Sequence, residues 1–133
     1  TTQLFTKYFL EKGGGRVINF ASIYGTINPK FEIYNKTNIV NSIEYASIKS
    51  GIVQMNKFFA KLFTKKNIKF NTISPGGIIN NHSKKFISNY KKYSGSKGML
   101  DPKDIVGLVS FLLSEGAEHI TGQNIIIDDG FSL

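Results

Sequence analysis

Three short apolar runs, each preceded by a segment with helical periodicity, constrain the fold of this chain more than any other feature. Runs of this length and composition are typical of buried strands in a parallel sheet. The predicted order is helix, strand, helix, strand, helix, strand, over residues 1–12, 16–21, 45–63, 67–74, 101–114 and 124–128. Such alternation predicts an α/β fold with a doubly wound parallel sheet, of which these are three strands.

The second predicted helix carries Tyr45 and Lys49, four residues apart. Side chains at this spacing lie on one face of a helix, one turn from each other. A free phenol, with a pKa of about 10, is a poor proton donor near neutrality, and an ammonium group one turn away stabilises the phenolate. The pair therefore predicts a proton donor and acceptor with its activator, although the same spacing also occurs on ordinary solvated helix surfaces.

Polar and turn-forming residues stand where two of the predicted strands end. Ser22 follows the first strand, and Pro75-Gly76-Gly77 follows the second. In open α/β sheets, ligands bind beyond the carboxyl ends of the strands, so a hydroxyl at this position is well placed for chemistry. A serine at a strand end also commonly caps a turn. Residues 25–44 predict a long irregular loop, and loops of this length are usually functional or disordered.

Residues 78–100 predict a mobile region with Gly95 and Gly98 as hinges. Within it, residues 84–97 contain no acidic residue and hold the lysines Lys84, Lys85, Lys91, Lys92 and Lys97. Several positive charges over a cleft attract an anionic substrate. Basic residues interleaved with aromatic ones also occur in single-strand nucleic-acid sites. The third interpretation is an ordinary solvated loop. Because no nucleic-acid-binding motif accompanies the stretch, we expect no nucleic-acid partner.

The composition fits one soluble globular unit of 133 residues, 41% of them hydrophobic, with a net charge of +8. The absence of cysteine excludes disulfides and thiolate metal sites, and His82 and His119 have no second ligand motif, so we expect no metal. No apolar run reaches the roughly 18 residues of a membrane span, and no secretory signal is present, so we expect a cytoplasmic protein without a membrane partner. Because the chain opens with Thr1 inside a predicted helix, we expect an incomplete chain.

Four motifs occur in the order, and near the spacings, of one protein family. They are Ser22 at a strand end, Tyr45-x-x-x-Lys49, Pro75-Gly76 after the next strand, and Thr121-Gly122-Gln123 before a strand that ends in Asp128-Asp129-Gly130. Together they resemble the C-terminal half of a short-chain dehydrogenase/reductase. The resemblance implies that residues 1–133 are the C-terminal part of one Rossmann-like domain, whose cofactor-binding half is absent from this chain. It also implies that the fragment alone is inactive.

The resemblance implies NAD(P)-dependent oxidoreduction of a carbonyl or hydroxyl on a small molecule. Tyr45 would be the proton donor or acceptor, Lys49 would activate it and hold the nicotinamide ribose, and Ser22 would hydrogen-bond the substrate oxygen. The residues expected to contact NAD or NADP are Tyr45, Lys49, Pro75, Gly76, Ile78 and Asn80. The alternative is a non-catalytic interaction or scaffold domain with the same fold.

The chain departs from the family pattern in ways that bear on specificity. The glycine-rich turn, the residue that selects NAD or NADP and the catalytic asparagine would all precede Thr1, and Asn80 stands where many members have threonine. The interval from Ser22 to Tyr45 is longer than the common family spacing. Its residues 29–34 resemble those of bacterial members tied to surface-sugar or flagellin glycan synthesis. This branch implies a sugar substrate and, with the basic stretch, an anionic nucleotide-linked sugar.

The helix of residues 45–63 is apolar on more than one side. Ile48, Ile52, Met55 and Phe59 form one stripe, and Val53, Phe58 and Phe63 fall outside it. A helix of this kind requires two partners, of which its own sheet is one. Since relatives in the family commonly pair this helix with its twin across a two-fold axis, we expect a homodimer or homotetramer.

Overall fold

Three parallel strands and four helices make up the computed structural model, which describes residues 2–133; Thr1, where the first helix was predicted to begin, lies outside the described residues. The elements are α1 (Thr2–Glu11), β1 (Gly15–Phe20), α2 (Ile43–Leu62), β2 (Ile68–Pro75), α3 (Lys84–Lys91), α4 (Lys103–Leu113) and β3 (Asn124–Ile127). The strands form one parallel sheet in the order β1-β2-β3, with Phe20 opposite Ile73 and Pro75 opposite Ile127. The predicted alternation is confirmed.

Helices cover both faces of the sheet. On one face, Phe70 of β2 packs in a cluster with Ala60 of α2. On the other face, Ile73 of β2 packs with Ile105 and Leu112 of α4. Neighbouring strand side chains point to opposite faces, so the central strand needs apolar residues at both parities. This arrangement confirms the predicted doubly wound fold.

The third strand is less buried than its sequence predicts. Ile126 is 40% exposed, and the other residues of β3 are only partly buried. The prediction of a buried strand over residues 124–128 is therefore wrong, since the strand spans Asn124–Ile127 and none of its residues is buried. Because β3 pairs only with β2 among the described residues, it is an edge strand, and an edge strand loses the cover that a second neighbour gives.

The sequence predicts two apolar sides on helix α2, and the structure shows which one faces the sheet. The buried side chains are Val53, Asn56 and Ala60, whereas Ile48 and Met55, two members of the predicted stripe, are 63% and 38% exposed. The small residues Val53 and Ala60 allow the helix to lie close against β2, and Phe59 packs in the cluster that contains Ala60. The helix is apolar on two sides, as predicted. The predicted stripe is divided between them, with Phe59 toward the sheet and Ile48 and Met55 away from it.

Residues 78–100 are more ordered than predicted. Helix α3 occupies the middle of this region, and its N-cap Ser83 accepts the backbone N–H of Phe86 at 3.2 Å. Phe86 and Tyr90 are buried on its inner face. The predicted hinge Gly98 donates its N–H to the Asp129 carboxylate at 2.7 Å. The prediction of a mobile region is wrong here because an amphipathic helix lies inside the lysine-rich stretch.

The predicted loop of residues 25–44 is packed against the body of the protein. A short 3-10 helix, Phe31–Tyr34, lies within it. Ile33 of this helix is fully buried in a cluster with Ile23, Phe86 and Phe131. We call residues 29–41 the inserted segment, since they fall in the long interval between Ser22 and Tyr45.

Two further properties concern the part of the chain that the structure describes. None of its helices combines the length and apolar character that a membrane crossing requires. Within residues 2–133, no group of three or more histidine, aspartate or glutamate side chains is arranged to hold a metal ion.

Candidate active site

A cleft of about 660 Å³ opens at the carboxyl ends of β1 and β2. Six of the seven predicted site residues line it, namely Ser22, Tyr45, Lys49, Pro75, Gly76 and Ile78. Asn80 does not line it; this residue is exposed, and its backbone N–H donates to His82 Nδ1 at 3.1 Å. The cofactor contact of Asn80 therefore stays a prediction without support from the cleft wall.

Ser22 is buried where β1 gives way to a 3-10 turn, Ile23–Gly25. Its Oγ accepts the backbone N–H of Tyr24 at 3.2 Å, so it caps this turn and also lines the cleft. The turn is attached to α2, because Ser50 Oγ donates to the Gly25 carbonyl at 2.9 Å. A Cβ atom on Gly25 would lie 2.8 Å from the carbonyl carbon of Lys49. Only glycine permits this approach, which holds Ser22 against the first turns of α2.

Tyr45 and Lys49 lie in the first two turns of α2, on one face as their spacing predicts. Lys49 Nζ is 5.5 Å from the centroid of the Tyr45 ring. At this distance the ammonium interacts favourably with the ring and remains close to the phenol. Tyr45 is 44% exposed on the cleft wall, so a ligand in the cleft can reach its hydroxyl.

The turn after β2 is fixed from two sides. Gly76 donates its N–H to the Ile127 carbonyl at 2.8 Å, and Gly77 donates to the Tyr90 hydroxyl at 2.7 Å. A Cβ atom on Gly76 would lie 2.7 Å from the Tyr90 hydroxyl oxygen. Burial raises the pKa of Tyr90 to about 12, so this phenol stays neutral and holds the turn as a hydrogen-bond acceptor.

Ile78 offers a pair of peptide groups at the cleft wall. Its neighbours bond to Leu100: the Leu100 N–H donates to Gly77, and the Ile79 N–H donates to Leu100. Among residues 2–133, neither the N–H nor the C=O of Ile78 itself has a hydrogen-bond partner. A donor and an acceptor side by side match a primary amide, the group that a nicotinamide ring carries. The residues present therefore fit a nicotinamide cofactor.

Several cleft residues escaped the sequence analysis. Tyr24, Tyr34 and Asn41 line the cleft and are joined by hydrogen bonds. His82, which we set aside as a metal ligand, also lines it and stacks on Phe86 with ring centroids 5.1 Å apart. Asn41 and Tyr34 sit in the segment that the long Ser22–Tyr45 interval singled out. That length was the one signal pointing to them.

The lysines of residues 84–97 lie outside the cleft wall. All five are exposed, and none lines the cleft. Lys97 is engaged elsewhere: its Nζ lies 2.8 Å from the Asp101 carboxylate and also contacts Asp104. The exposed cations that remain in this stretch are those on α3 and the residue after it, namely Lys84, Lys85, Lys91 and Lys92.

Comparison with known proteins agrees with this geometry. A family model described as enoyl-(acyl carrier protein) reductase, of the short-chain dehydrogenase/reductase type, matches residues 1–132. The post-translational flagellin modification protein A of Campylobacter coli is 42% identical over 132 residues, which cover 99% of this chain and 52% of that protein. The 7alpha-hydroxysteroid dehydrogenase of Bacteroides fragilis is 30% identical, over 99% of this chain and 49% of that protein.

A solved structure shows the same architecture. The short chain dehydrogenase from Leptospira borgpetersenii with bound NAD+ superimposes with a TM-score of 0.89 and 40% sequence identity, over 99% of this chain and 50% of that chain. This chain thus spans about half the length of the curated relatives that it matches.

Proposed function

Because this chain belongs to the short-chain dehydrogenase/reductase family, we propose that the full-length protein is an NAD(P)-dependent oxidoreductase that interconverts a carbonyl and a hydroxyl on a polar small molecule. The observation that carries the proposal is the convergence of Ser22, Tyr45 and Lys49 on one cleft at the carboxyl ends of two parallel strands. Ligands of open α/β sheets bind at this edge.

Each of these side chains has a distinct role in the proposed reaction. The Tyr45 hydroxyl gives its proton to the substrate oxygen during reduction and takes it back during oxidation. The Ser22 hydroxyl hydrogen-bonds the same oxygen, and the Lys49 ammonium stabilises the negative charge that develops on the phenol. When bound, the nicotinamide supplies or accepts the hydride at the substrate carbon.

The residues proposed to hold NAD or NADP surround this position. Lys49 would bind the ribose hydroxyls, the peptide groups of Ile78 would bind the amide, and the turn formed by Pro75 and Gly76 would support the ring. The bound NAD+ of the Leptospira structure supports a nicotinamide cofactor. The flagellin modification relative supports the proposal of a role in flagellin modification. The proposal of a sugar substrate rests on the resemblance of residues 29–34 to the surface-sugar branch of the family.

A Tyr45→Phe variant of the full-length protein tests the proposed acid. We expect kcat to fall by about 100-fold or more, because a positioned proton donor contributes factors of this size. The assay follows NADH and NADPH absorbance with a panel of nucleotide-linked sugars. Tyr93→Phe is the matched control, since Tyr93 lies outside the cleft. Activity that survives unchanged in Tyr45→Phe would eliminate Tyr45 as the acid. A wild type without activity on the whole panel would favour the alternative, a non-catalytic interaction or scaffold domain with the same fold.

We further propose that the substrate is anionic, as a nucleotide-linked sugar is. The support is the position of four exposed lysines, Lys84, Lys85, Lys91 and Lys92, on or next to the helix whose inner side chains Phe86 and Tyr90 line the cleft. Positive charges beside a cleft raise the local concentration of an anion, and salt weakens this attraction.

Replacing these four lysines with glutamine tests the electrostatic contribution. We expect a lower kcat/KM at low salt and a flatter dependence on ionic strength than in the wild type. The matched control replaces Lys57, Lys61, Lys65 and Lys66, which are equally exposed but lie along α2 and before β2, away from the cleft. An unchanged salt profile would mean that the lysines of residues 84–97 only keep the surface solvated.

A further inference from the structure

A chain of hydrogen bonds crosses from the inserted segment to the turn that carries Ser22. Asn41 Nδ2 donates to the Tyr34 hydroxyl at 3.2 Å, and the Tyr34 hydroxyl donates to the Tyr24 hydroxyl at 3.1 Å. All three side chains line the cleft together with Ser22 and Tyr45. The inserted segment therefore supplies part of the wall beside the proposed reacting groups.

In this series of hydrogen bonds, one hydroxyl hydrogen is left without an acceptor. A phenol has a single hydrogen, and that of Tyr34 is used on Tyr24. Among residues 2–133, the Tyr24 hydroxyl hydrogen has no acceptor. Burial raises the pKa of both Tyr24 and Tyr34, so both phenols keep their hydrogens at neutral pH. The chain thus ends on a neutral hydrogen-bond donor within the cleft.

Tyr34, the hydrogen-bond partner of Tyr24, is held in place by the packing of the inserted segment. Asn89 of α3 donates from Nδ2 to the carbonyls of Ile33 and Asn35, at 3.1 and 3.2 Å, on either side of Tyr34. The Tyr34 ring also packs against Phe86, with centroids 5.6 Å apart. A hydroxyl fixed in this way loses little freedom when a ligand binds, which favours recognition over simple solvation.

The chemistry of the cleft wall indicates what this donor meets. Ser22 and Tyr24 belong to one short turn and line the same cleft, so a ligand held at Ser22 occupies the cleft that Tyr24 also lines. Much of the remaining wall is apolar, including Ile23, Phe86 and Met99. Such a wall covers the C–H face of a ring, while a few placed polar groups fix its oxygens.

We propose that Tyr24 donates a hydrogen bond to a second substrate oxygen in the same cleft, and that Tyr34 and Asn41 position its hydroxyl. The substrate class is accordingly a diol or hydroxy ketone, as in a polyhydroxylated ring. This inference rests on the proposed oxidoreduction at Tyr45 and names the substrate group that the cleft selects.

The test compares cyclohexanol with cis-1,2-cyclohexanediol, which differ by one hydroxyl, in the full-length protein with NAD+ and NADP+. We expect the wild type to have the higher kcat/KM for the diol. Tyr24→Phe lowers that value by about tenfold, the range of one hydrogen bond, mainly through KM. It lowers the value for cyclohexanol much less, because cyclohexanol has no second oxygen. Tyr34→Phe lowers it less, because Tyr24 then keeps its hydroxyl but loses its orientation. Tyr93→Phe is the control for the same chemical change outside the cleft.

Binding of the diol is measured separately by saturation-transfer NMR on the protein loaded with NADH. We expect a signal in the wild type and in Tyr45→Phe, and a weaker signal in Tyr24→Phe. Equal loss for both alcohols in Tyr24→Phe, a wild type that prefers cyclohexanol, or the absence of diol binding overturns the role of Tyr24. Diol binding that depends on Tyr24 without any turnover by the wild type overturns the proposed oxidoreduction instead.

Discussion

Ser22 and Lys49 are brought together by a glycine rather than by either side chain. Gly25 has no Cβ, so the turn after β1 lies against the backbone of α2 at Lys49, and Ser50 closes the contact by a hydrogen bond to the Gly25 carbonyl. Two segments that are distant in sequence are thereby held in register at the cleft. The geometry of the proposed site thus depends on a residue that carries no chemistry.

A buried amide pair links the sheet to the same helix. Asn19 Nδ2 of β1 donates to Asn56 Oδ1 of α2 at 2.8 Å, Asn56 is fully buried, and its own Nδ2 has no partner. We expect Asn19→Leu to destabilise the full-length protein by about 1–3 kcal/mol, because the whole Asn56 amide is then unsatisfied. The double variant Asn19→Leu/Asn56→Leu should recover much of that loss, since no buried polar group remains.

Urea unfolding monitored by circular dichroism measures both free energies. Asn38→Leu, at an exposed loop position, controls for the change of composition. A double variant no more stable than Asn19→Leu would mean that the two amides do not form an energetic unit.

At the residue scale, sequence reasoning found the groups with recognisable spacing. Tyr45 and Lys49 were paired by helical geometry, and Ser22 and Pro75 by their positions at strand ends. Tyr24 and Tyr34 could not be found in this way, because no periodic pattern joins them. Their hydrogen bond exists only because the buried Ile33 fixes the inserted segment against the body of the protein.

At the scale of elements, α3 shows how composition can conceal a helix. Its lysines led us to predict a mobile region, yet Ser83 is an N-cap residue and Phe86 and Tyr90 recur four apart. Those signals were present in the sequence. What the sequence did not contain was the contact of Asn89 with the carbonyls of Ile33 and Asn35, which joins α3 to the inserted segment.

The segment after α3 is anchored by one carboxylate. Asp129 accepts the backbone N–H groups of Lys97 and Gly98, both at 2.7 Å. The hydrogen bond from Gly98 is the main reason that the pKa of Asp129 is lowered. A lowered folded-state pKa adds stability above the unfolded value of about 4, and this stability is lost as the pH falls through the folded value.

We therefore expect Asp129→Asn to lower Tm at pH 6 to 7, because an amide has only one acceptor oxygen and cannot accept from Ser96 on one side and from Lys97 and Gly98 on the other. The difference from the wild type should shrink as the pH falls below about 4, because the stability that the charged carboxylate adds is lost between the unfolded and the lower folded pKa. Differential scanning calorimetry between pH 3 and 7 measures both effects. Glu118→Gln, at an exposed position in the segment between α4 and β3, is the matched control. A Tm difference that does not change with pH contradicts the role of the charge.

At the scale of the whole molecule, the alternation of elements predicted the sheet but not its edges. The six predicted segments gave the strands and three of the helices, because burial on both faces imposes an apolar pattern on β2. The exposure of Ile126 and the orientation of α2 depend on which neighbours each element has. Local sequence does not carry that information, so the prediction of a buried third strand was wrong, and the side of α2 that faces the sheet could not be predicted.

The side of α2 that faces away from the sheet carries several exposed apolar side chains. Ile48, Phe58 and Leu62 are 63%, 61% and 58% exposed. Exposed apolar patches of this kind commonly mark protein–protein contacts. A second copy packed about a two-fold axis would bury the same residues from both chains, and for this reason we propose that the full-length protein is a homodimer or homotetramer.

Placing a charge on this face tests the proposed assembly. We expect Ile48→Glu/Phe58→Glu to reduce the mass of the full-length protein in solution to that of a smaller species, because an interface between identical helices would bring the new carboxylates together without water. Light scattering coupled to size-exclusion chromatography gives the mass. Phe31→Glu places one carboxylate at a position with 66% exposure on the inserted segment and should leave the mass unchanged. A monomeric wild type, or a double variant with the wild-type mass, excludes association through this face of α2.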